Sequence, residues 1–137
     1  MLSSMFQSST IPLLQEVVSF AQARHTVLAG NVANLDTPGY KVRDLSVEDF
    51  QERLRTAIQE RHSPPEPRSP GEPSGRHDTN RAEISKNPKT ILHHDQSNVG
   101  VEYQVTEMVK NQLQHNLALS LLTSQLRLLQ TAISGRV

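Results

Sequence analysis

Apolar residues recur at every third or fourth position in two long stretches, one near each end of the chain. The first stretch runs from Ile11 to Leu35 and the second from Val101 to Ile133. This spacing places the apolar side chains on one face of a helix. Between the two stretches, residues 63–76 read SPPEPRSPGEPSGR, and five prolines with two glycines sustain neither a helix nor a central strand. The pattern predicts a mainly α protein whose regular structure lies at its two ends.

The same pattern divides the chain into five segments. We expect a flexible N-terminus (1–10), an N-terminal coiled-coil helix (11–35), a turn motif with an extension (36–55), a proline-rich variable loop or linker (56–97) and a C-terminal coiled-coil helix (98–137). The low hydrophobicity of the middle leaves two alternatives open. It either holds short strands, as Thr90-Ile91-Leu92 indicates, or stays disordered.

Each predicted helix carries a heptad seam, that is, a line of residues spaced alternately three and four apart. The first seam is Ile11, Leu14, Val18, Ala21, His25, Leu28, Val32 and Leu35. The last helix has Val101, Val105, Met108, Gln112, His115, Leu119, Leu122, Leu126, Leu129 and Ile133. If the helices run antiparallel with Ala21 opposite Leu119, then His25 meets His115 in one polar layer. A slip of one heptad would leave both histidines against apolar side chains, which is costly. We therefore predict an antiparallel two-helix coiled coil in this register.

A second apolar stripe runs along the outer side of each helix. On the first helix it comprises Leu13, Val17, Phe20 and Val27, and on the last helix Leu113, Leu117, Leu121 and Leu128. A pair of helices covers only one face of each, so these stripes would face water in a lone hairpin. Contiguous exposed apolar patches usually mark interfaces. The stripes indicate that the chain is one part of a larger assembly.

A turn motif follows the first helix, reading NVANLDTPGYK from Asn31 to Lys41. Proline disfavours a helical conformation at the residue before it, so the helix must end near Thr37. Pro38-Gly39 suits the centre of a type II turn, because glycine supplies the positive φ at the third position. A plain helix stop would explain this proline and glycine. It would not explain the two asparagines one turn apart, or the aromatic and basic pair after the turn.

This motif resembles the signature of the bacterial flagellar rod, hook and hook-associated axial proteins. Together with the C-terminal stretch NQLQHNLALSLLTSQLRLLQTAISGR, its direct Thr-Pro-Gly run is most similar to the proximal rod members of that family. The resemblance covers about residues 8–55 and 95–137, whereas the proline-rich middle resembles nothing familiar. Leu35-Asp36 and Gly100 depart modestly from the usual pattern.

The resemblance implies a structural subunit of the proximal rod, assembled helically through its paired terminal helices. Six residues match the family motif and would fix the turn between the inner tube and the outer part: Asn31, Asn34, Thr37, Pro38, Gly39 and Tyr40. The implied partners are other rod subunits, a FliE-type adaptor at the rod base, further copies of the chain and the flagellar export apparatus. The implied location is the basal body, in the rod that spans the periplasm, and the implied role is one that motility requires.

Two further observations concern the export of the chain. Residues 1–10 lack a basic and an apolar signal region, so we expect no cleavable signal peptide, and the chain either stays in the cytoplasm or leaves by another route. The resemblance implies the second alternative, export through the flagellar type III apparatus. The segment from Phe50 to Leu54 resembles the pattern proposed for docking early substrates on the export gate. That pattern is short and arises often by chance.

Composition excludes several classes of function. Cysteine is absent, so disulfides and thiolate metal sites are excluded, and 14 basic residues balance 14 acidic ones, which argues against nucleic acid as a partner. His93-His94-Asp95 lacks a third ligand at metal spacing. Arg24, Arg43, Arg53 and Arg55 are interpreted as solvated charges. No phosphate-binding loop or nucleophile motif is present, so we expect no enzyme, no cofactor and no small-molecule substrate.

One other function class remains open at this stage, a helical adaptor or chaperone associated with type III secretion. In that case an amphipathic hairpin would bind one client helix and form a stable soluble species by itself. Sedimentation and circular dichroism of the purified chain distinguish the two hypotheses.

Overall fold

The computed structural model describes residues 9–62, 89–90 and 100–135. The elements in chain order are helix α1 (Ile11–Ala33), strand β1 (Arg43–Asp44), helix α2 (Val47–His62), strand β2 (Lys89–Thr90) and helix α3 (Val101–Ser134). The prediction of a mainly helical chain is confirmed, and the N- and C-terminal helices pack together. The proline-rich stretch 63–76 and the histidines at 93 and 94 lie outside the described residues. Within the described part, no helix has the length and apolar character needed to cross a membrane.

Helix α1 begins in the way its sequence suggests and ends slightly early. The backbone N–H of Ile11 donates to Ser9 Oγ at 3.3 Å, and Pro12 occupies the first turn, where a missing N–H does no harm. The helix ends at Ala33, two residues before the predicted end. The N–H of Asn34 then bonds to the carbonyls of Gly30 and Asn31, which closes the last turn.

The turn after α1 has the geometry that the sequence predicts. The N–H of Tyr40 donates to the carbonyl of Thr37 at 3.1 Å, which closes a four-residue turn around Pro38 and Gly39. Gly39 has a φ of +77°, a conformation that glycine adopts without strain. The chain therefore leaves α1 and reverses within seven residues of its end.

A short extended segment follows and returns the chain to the helices. Val42 and Leu45 are both 2% exposed, so they anchor this segment in the core. Between them, β1 pairs antiparallel with β2, with Arg43 opposite Thr90 and Asp44 opposite Lys89. The predicted strand near Thr90 is thus present at its first residue, and the positions after it lie outside the described part.

Helix α2 was not predicted, and it covers the outer side of α1. The hydroxyl of Ser46 accepts from the N–H of Asp49 at 3.2 Å, an N-cap that starts the helix. The rings of Phe20 and Phe50 stack with centroids 4.0 Å apart, and Arg61 donates to the carbonyl of Ser9. The predicted start of the proline-rich loop at residue 56 falls inside this helix.

The predicted register of the helix pair is wrong by roughly one heptad. Residues later in α1 contact residues earlier in α3, so the contacts run in opposite order along the two helices. Asn111 of α3 donates to the carbonyl of Ala21, where Leu119 was expected. Arg24 contacts Glu107, and Asn31 contacts Gln104. The predicted layer of His25 with His115 therefore does not form.

In both helices, some of the buried residues also lie one position before the seam residues that the sequence predicts. In α1 the buried residues are Ala21, Arg24, Leu28 and Asn31, so Arg24 and Asn31 occupy the places expected for His25 and Val32. In α3 they are Gln104, Asn111 and Ala118, one position before the expected Val105, Gln112 and Leu119. Ile11, Leu14, Val18, Val32, Met108, Leu122 and Leu129 of the predicted seam are half-buried. Leu119 and Leu126 are 38% and 45% exposed, so their assignment to the seam is wrong for this chain.

Candidate assembly site

Asn31 is the centre of the turn motif in the folded chain. Its side chain is fully buried and makes four hydrogen bonds, which use the whole capacity of the amide. Nδ2 donates to the carbonyl of Arg43 at 2.6 Å and to Oε1 of Gln104 at 3.2 Å. Oδ1 accepts from the hydroxyl of Tyr40 at 3.1 Å and from the N–H of Arg43 at 3.2 Å. One side chain thus connects α1, the turn, the extended segment and α3.

The second asparagine of the motif acts more locally. Nδ2 of Asn34 donates to the carbonyl of Gly30 at 2.8 Å, which satisfies one of the carbonyls at the end of the helix. Its Oδ1 lies 3.5 Å from the hydroxyl of Thr37, and its carbonyl accepts from the N–H of that residue. Asn34 and Thr37 therefore stabilise the helix exit, and Asn31 fixes where the chain goes afterwards.

Arg24 forms a buried ionic network about two turns before Asn31. Its guanidinium donates to both carboxylate oxygens of Asp44, at 2.8 and 2.5 Å, and to Glu107 at 2.9 Å. The exposed Lys110 adds a 2.8 Å contact to the other oxygen of Glu107. The interpretation of Arg24 as a solvated charge is wrong, because the residue is 6% exposed. The network joins three of the four segments that Asn31 joins, namely α1, the extended segment and α3.

The charges of this network shift each other's protonation equilibria. The hydrogen bonds and charges of Asp44 and Glu107 raise the pKa of Arg24 despite its burial, so the guanidinium stays protonated throughout. The hydrogen bond from Lys110, followed by that from Arg24, lowers the pKa of the Glu107 carboxyl. The charged forms of Arg24 and Glu107 are thus favoured by their partners.

A cleft of about 400 Å³ opens beside this network. Arg24, Asp44 and Glu107 line it from the α1–α3 side, and Ser46 and Glu48 from the start of α2. Its walls combine fixed charges with apolar groups, and it holds no nucleophile paired with a base. Among the described residues, no group of three histidine, aspartate or glutamate side chains could hold a metal ion.

The interior of the helix pair is therefore unusually polar. Asn111 is 1% exposed and donates to the carbonyl of Ala21 at 2.7 Å, yet its Oδ1 has no partner. Nδ1 of His25 is also buried without a hydrogen bond. That orphaned nitrogen is the consequence expected from a heptad slip. In this register Arg24 instead makes three hydrogen bonds and Asn31 makes four.

Apolar side chains stand on the outside of α3. All four residues of its predicted outer stripe are exposed: Leu113 (65%), Leu117 (63%), Leu121 (48%) and Leu128 (61%). On α1, the stripe residues Leu13, Val17, Phe20 and Val27 are half-buried, and Phe20 stacks on Phe50 of α2. The expectation that other subunits alone cover both stripes is wrong for Phe20, which stacks on Phe50 of its own chain.

Sequence reasoning found part of this site and missed the rest. The motif residues Asn31, Asn34, Thr37 and Tyr40 do come together around the turn. The burial of Arg24, Asp44 and Gln104 was missed, because charged and amide side chains are usually solvated. Phe50 and Leu54, proposed as an export signal, lie half-buried on α2.

Comparisons with known proteins agree on one family. Residues 19–41 match the family described as flagella basal body rod protein. The flagellar basal body rod protein FlgB of Aquifex aeolicus (strain VF5) is 32% identical in an alignment of 132 positions that covers 92% of this chain and 94% of that protein. FlgB of Bacillus subtilis (strain 168) is 23% identical, covering 93% and 95%. FlgB of Escherichia coli (strain K12) is 29% identical, covering 82% and 84%. The segment 19–41 contains Arg24, Asn31 and the turn.

Proposed function

Since this chain belongs to the FlgB family of flagellar basal body rod proteins and is a structural subunit of the rod, we propose that its site is an assembly joint. In this proposal α1 and α3 form an antiparallel coiled coil that builds the inner part of the rod. The turn and the extended segment set the direction in which the rest of the chain leaves that coiled coil. The family is a structural one and not an enzyme class.

One observation carries this proposal, the fourfold coordination of Asn31. A buried amide with every hydrogen bond made orients the groups around it, because rotating any of them would leave a polar atom unsatisfied. Its partners are the C-terminal helix, through Gln104, and the segment after the turn, through Tyr40 and Arg43. The angle between the helix pair and the outer part is therefore fixed by a few named contacts.

The outer face of α3 supports assembly with neighbours. Its exposed leucines would each gain roughly 1.5–3 kcal/mol on burial, which a lone chain does not obtain. We propose that other rod subunits and further copies of this chain cover this face. The family resemblance implies three more features of the same proposal: a FliE-type adaptor as neighbour at the rod base, export through the flagellar type III apparatus, and a docking role for Phe50 and Leu54 during export.

The alternative of a secretion adaptor or chaperone is not favoured, because the relatives along the whole chain are rod proteins. Sedimentation of the purified chain checks it further. An adaptor would be a stable, non-polymerising species that binds a client helix. A rod subunit would instead associate through the exposed face of α3.

Replacement of Asn31 tests the joint. Asn31→Asp keeps the two accepted hydrogen bonds and loses the two donated ones, to Arg43 and Gln104. We expect a loss of about 2–4 kcal/mol in the free energy of unfolding, because a charge and two acceptors become buried without partners. In a strain that lacks the protein, this variant should fail to restore swimming in soft agar and a complete rod in electron micrographs.

Asn34→Asp is the matched control, because it makes the same chemical change three residues away at a less buried position. We expect this variant to lose about 1 kcal/mol of the free energy of unfolding and to retain swimming. Equal behaviour of the two variants would contradict the joint. Normal swimming of the deletion strain itself would contradict the role of the protein in the rod.

A further inference from the structure

Two buried polar atoms of the helix pair have no hydrogen-bond partner among the described residues. They are Nδ1 of His25 on α1 and Oδ1 of Asn111 on α3. Both atoms are closed off from solvent, so water does not pair with them. Buried polar groups in native proteins are nearly always paired, so two unpaired atoms in one helix pair require an explanation.

Both atoms belong to residues that bond to the same backbone carbonyl, that of Ala21. Nδ2 of Asn111 donates to this oxygen at 2.7 Å. Within α1 the oxygen also accepts from the N–H of His25, four residues later. Side chains on a helix lean back toward its N-terminus, so the imidazole of His25 lies over the turn that contains Ala21. The two unpaired atoms therefore lie in the same layer of the helix pair.

The Ala21 carbonyl also decides which way the amide of Asn111 points. Only a donor is tolerated 2.7 Å from a carbonyl oxygen, so Nδ2 faces Ala21 and Oδ1 faces away from it. Oδ1 accepts hydrogen bonds and never donates them, so its missing partner is a donor. A neutral imidazole carries its one proton on either Nδ1 or Nε2, which makes His25 the group that can adapt.

The Ala21 carbonyl cannot take a proton from His25 Nδ1 as well. Its two lone pairs are already used, by the N–H of His25 and by Asn111. In this layer of the described residues, the unpaired acceptor is Asn111 Oδ1. A proton on Nε2 would leave two acceptors without a donor, whereas a proton on Nδ1 can satisfy both atoms. Nε2 is not among the buried unpaired atoms, so it can accept from water.

We propose that neutral His25 carries its proton on Nδ1 and donates it to Oδ1 of Asn111, and that this bond helps to select the register of α1 and α3. The two atoms are not bonded in the structure, and rotation of the imidazole about χ2, a soft torsion, brings them together. The ring keeps one proton and no charge, so only the position of the proton changes. The inference rests on the proposed function, because it adds a residue to those that fix the helix pair of the joint.

The bond depends on the register because of what else α3 buries. Asn111 is one of three buried α3 residues at heptad spacing, together with Gln104 and Ala118. A slip of one heptad brings one of the other two opposite Ala21. Ala118 offers no acceptor to His25, and Gln104 would have to leave Asn31, to which it is bonded. Either slip therefore loses a buried hydrogen bond.

Nuclear magnetic resonance of the imidazole nitrogens tests the proposal, because protonated and unprotonated ring nitrogens differ in chemical shift. The spectrum is recorded on the purified full chain near pH 8.5, about two units above the ordinary pKa of an imidazole. The His25 ring is assigned through its own backbone amide. We expect the Nδ1–H form to exceed the Nε2–H form about fivefold or more, the ratio that one net hydrogen bond supplies. A predominant Nε2–H form in the wild type overturns the inference.

Asn111→Leu removes the acceptor with little change in side-chain volume. The excess of the Nδ1–H form should disappear in this variant, because nothing then holds the proton on that nitrogen. Gln112→Leu is the matched control, since it replaces an amide at the next position, where the side chain is exposed and bonds to Asn116. It should leave the His25 ring as in the wild type. An unchanged ring in Asn111→Leu, or the same change in both variants, contradicts the proposed bond.

A second measurement on the wild type covers the case that Asn111→Leu does not fold. A buried ring proton that is donated in a hydrogen bond exchanges slowly with water, so His25 should give an observable Nδ1–H proton signal. Its absence would refute the inference. None of these outcomes affects the proposed function, which fails separately if the wild-type chain is absent from basal bodies.

Discussion

At the scale of single residues, polar side chains decide how the two terminal helices meet. Arg24, Asn31, Gln104 and Asn111 are each no more than 6% exposed, and all four take part in hydrogen bonds across the helix interface. A buried ion pair contributes little net stability over an apolar one, but breaking it is costly. We therefore attribute to these residues the choice of register, since a shifted pair would break the bonds that they make between α1 and α3.

Removal of the Arg24 guanidinium should strongly destabilise the chain. In Arg24→Met the carboxylates of Asp44 and Glu107, whose side chains are 14% exposed, lose their shared cation. We expect the free energy of unfolding, measured in urea, to fall by about 3–5 kcal/mol. Lys110→Met is the control, because that ammonium is 61% exposed, and it should change stability by less than about 1 kcal/mol. Similar losses in both variants would mean that the network at Arg24 is not a buried one.

Acid should weaken the same network through Glu107. The pKa of its carboxyl is lower in the folded chain than its usual value, mainly through Lys110 and then Arg24, so the unfolded chain binds a proton first as the pH falls. The charged Glu107 carboxylate contributes fully to the free energy of unfolding when the pH is above its pKa in the unfolded chain. This contribution is lost as the pH falls through its pKa in the folded chain. Glu107→Gln should be less stable than the wild type at neutral pH by about 1–3 kcal/mol, and this difference should shrink below about pH 4. Urea midpoints across that range check it, and a constant difference would contradict the assignment.

At the scale of elements, the sequence predicted the terminal helices and the turn but not their register. Apolar residues lie on several sides of α3, so their periodicity does not identify one face as the buried one. The pattern therefore does not decide whether Val105 or Gln104 lies in the seam. The choice between them depends on Asp44 and Arg43, which reach the helix pair from beyond the turn and have no periodic signal. Helix α2 could have been found from its start, because Ser46 precedes Glu48 and Asp49 in the manner of a capping box.

A pair of engineered disulfides distinguishes the two registers. Ala21→Cys with Asn111→Cys joins positions whose groups contact each other in the structure, whereas Ala21→Cys with Leu119→Cys joins the positions expected from the apolar pattern. About eight residues of helix, or roughly 12 Å, separate the two α3 positions, which exceeds the reach of a disulfide. We expect the first pair to oxidise within one chain and the second to stay reduced. Mobility on a non-reducing gel with thiol labelling is the measurement, and oxidation of the second pair would restore the predicted register.

At the scale of the whole molecule, the distribution of polarity is inverted relative to an ordinary helix pair. The interface within the chain contains charges and amides, while eleven large apolar residues of α3 are more than a third exposed. Such a surface is unusual on a free monomer, because exposed apolar patches of this extent mark interfaces. The polar interior keeps the chain in one register, and the apolar exterior supplies the free energy for joining neighbours.

A charge on this exterior should separate assembly from folding. Leu117 is 63% exposed, so Leu117→Glu removes few contacts within the chain and should change the free energy of unfolding by no more than about 0.5 kcal/mol. In the rod, the same carboxylate would be buried among uncharged helices without a partner, which costs several kcal/mol. We expect a variant with unchanged circular dichroism and urea midpoint that no longer restores swimming or appears in basal bodies. Asn116→Glu introduces the same charge at the exposed position next to Leu117, outside the outer stripe, and should retain swimming. If Leu117→Glu swims normally, the exposed face of α3 is not a subunit contact, because no packed interface tolerates an unpaired carboxylate at its centre.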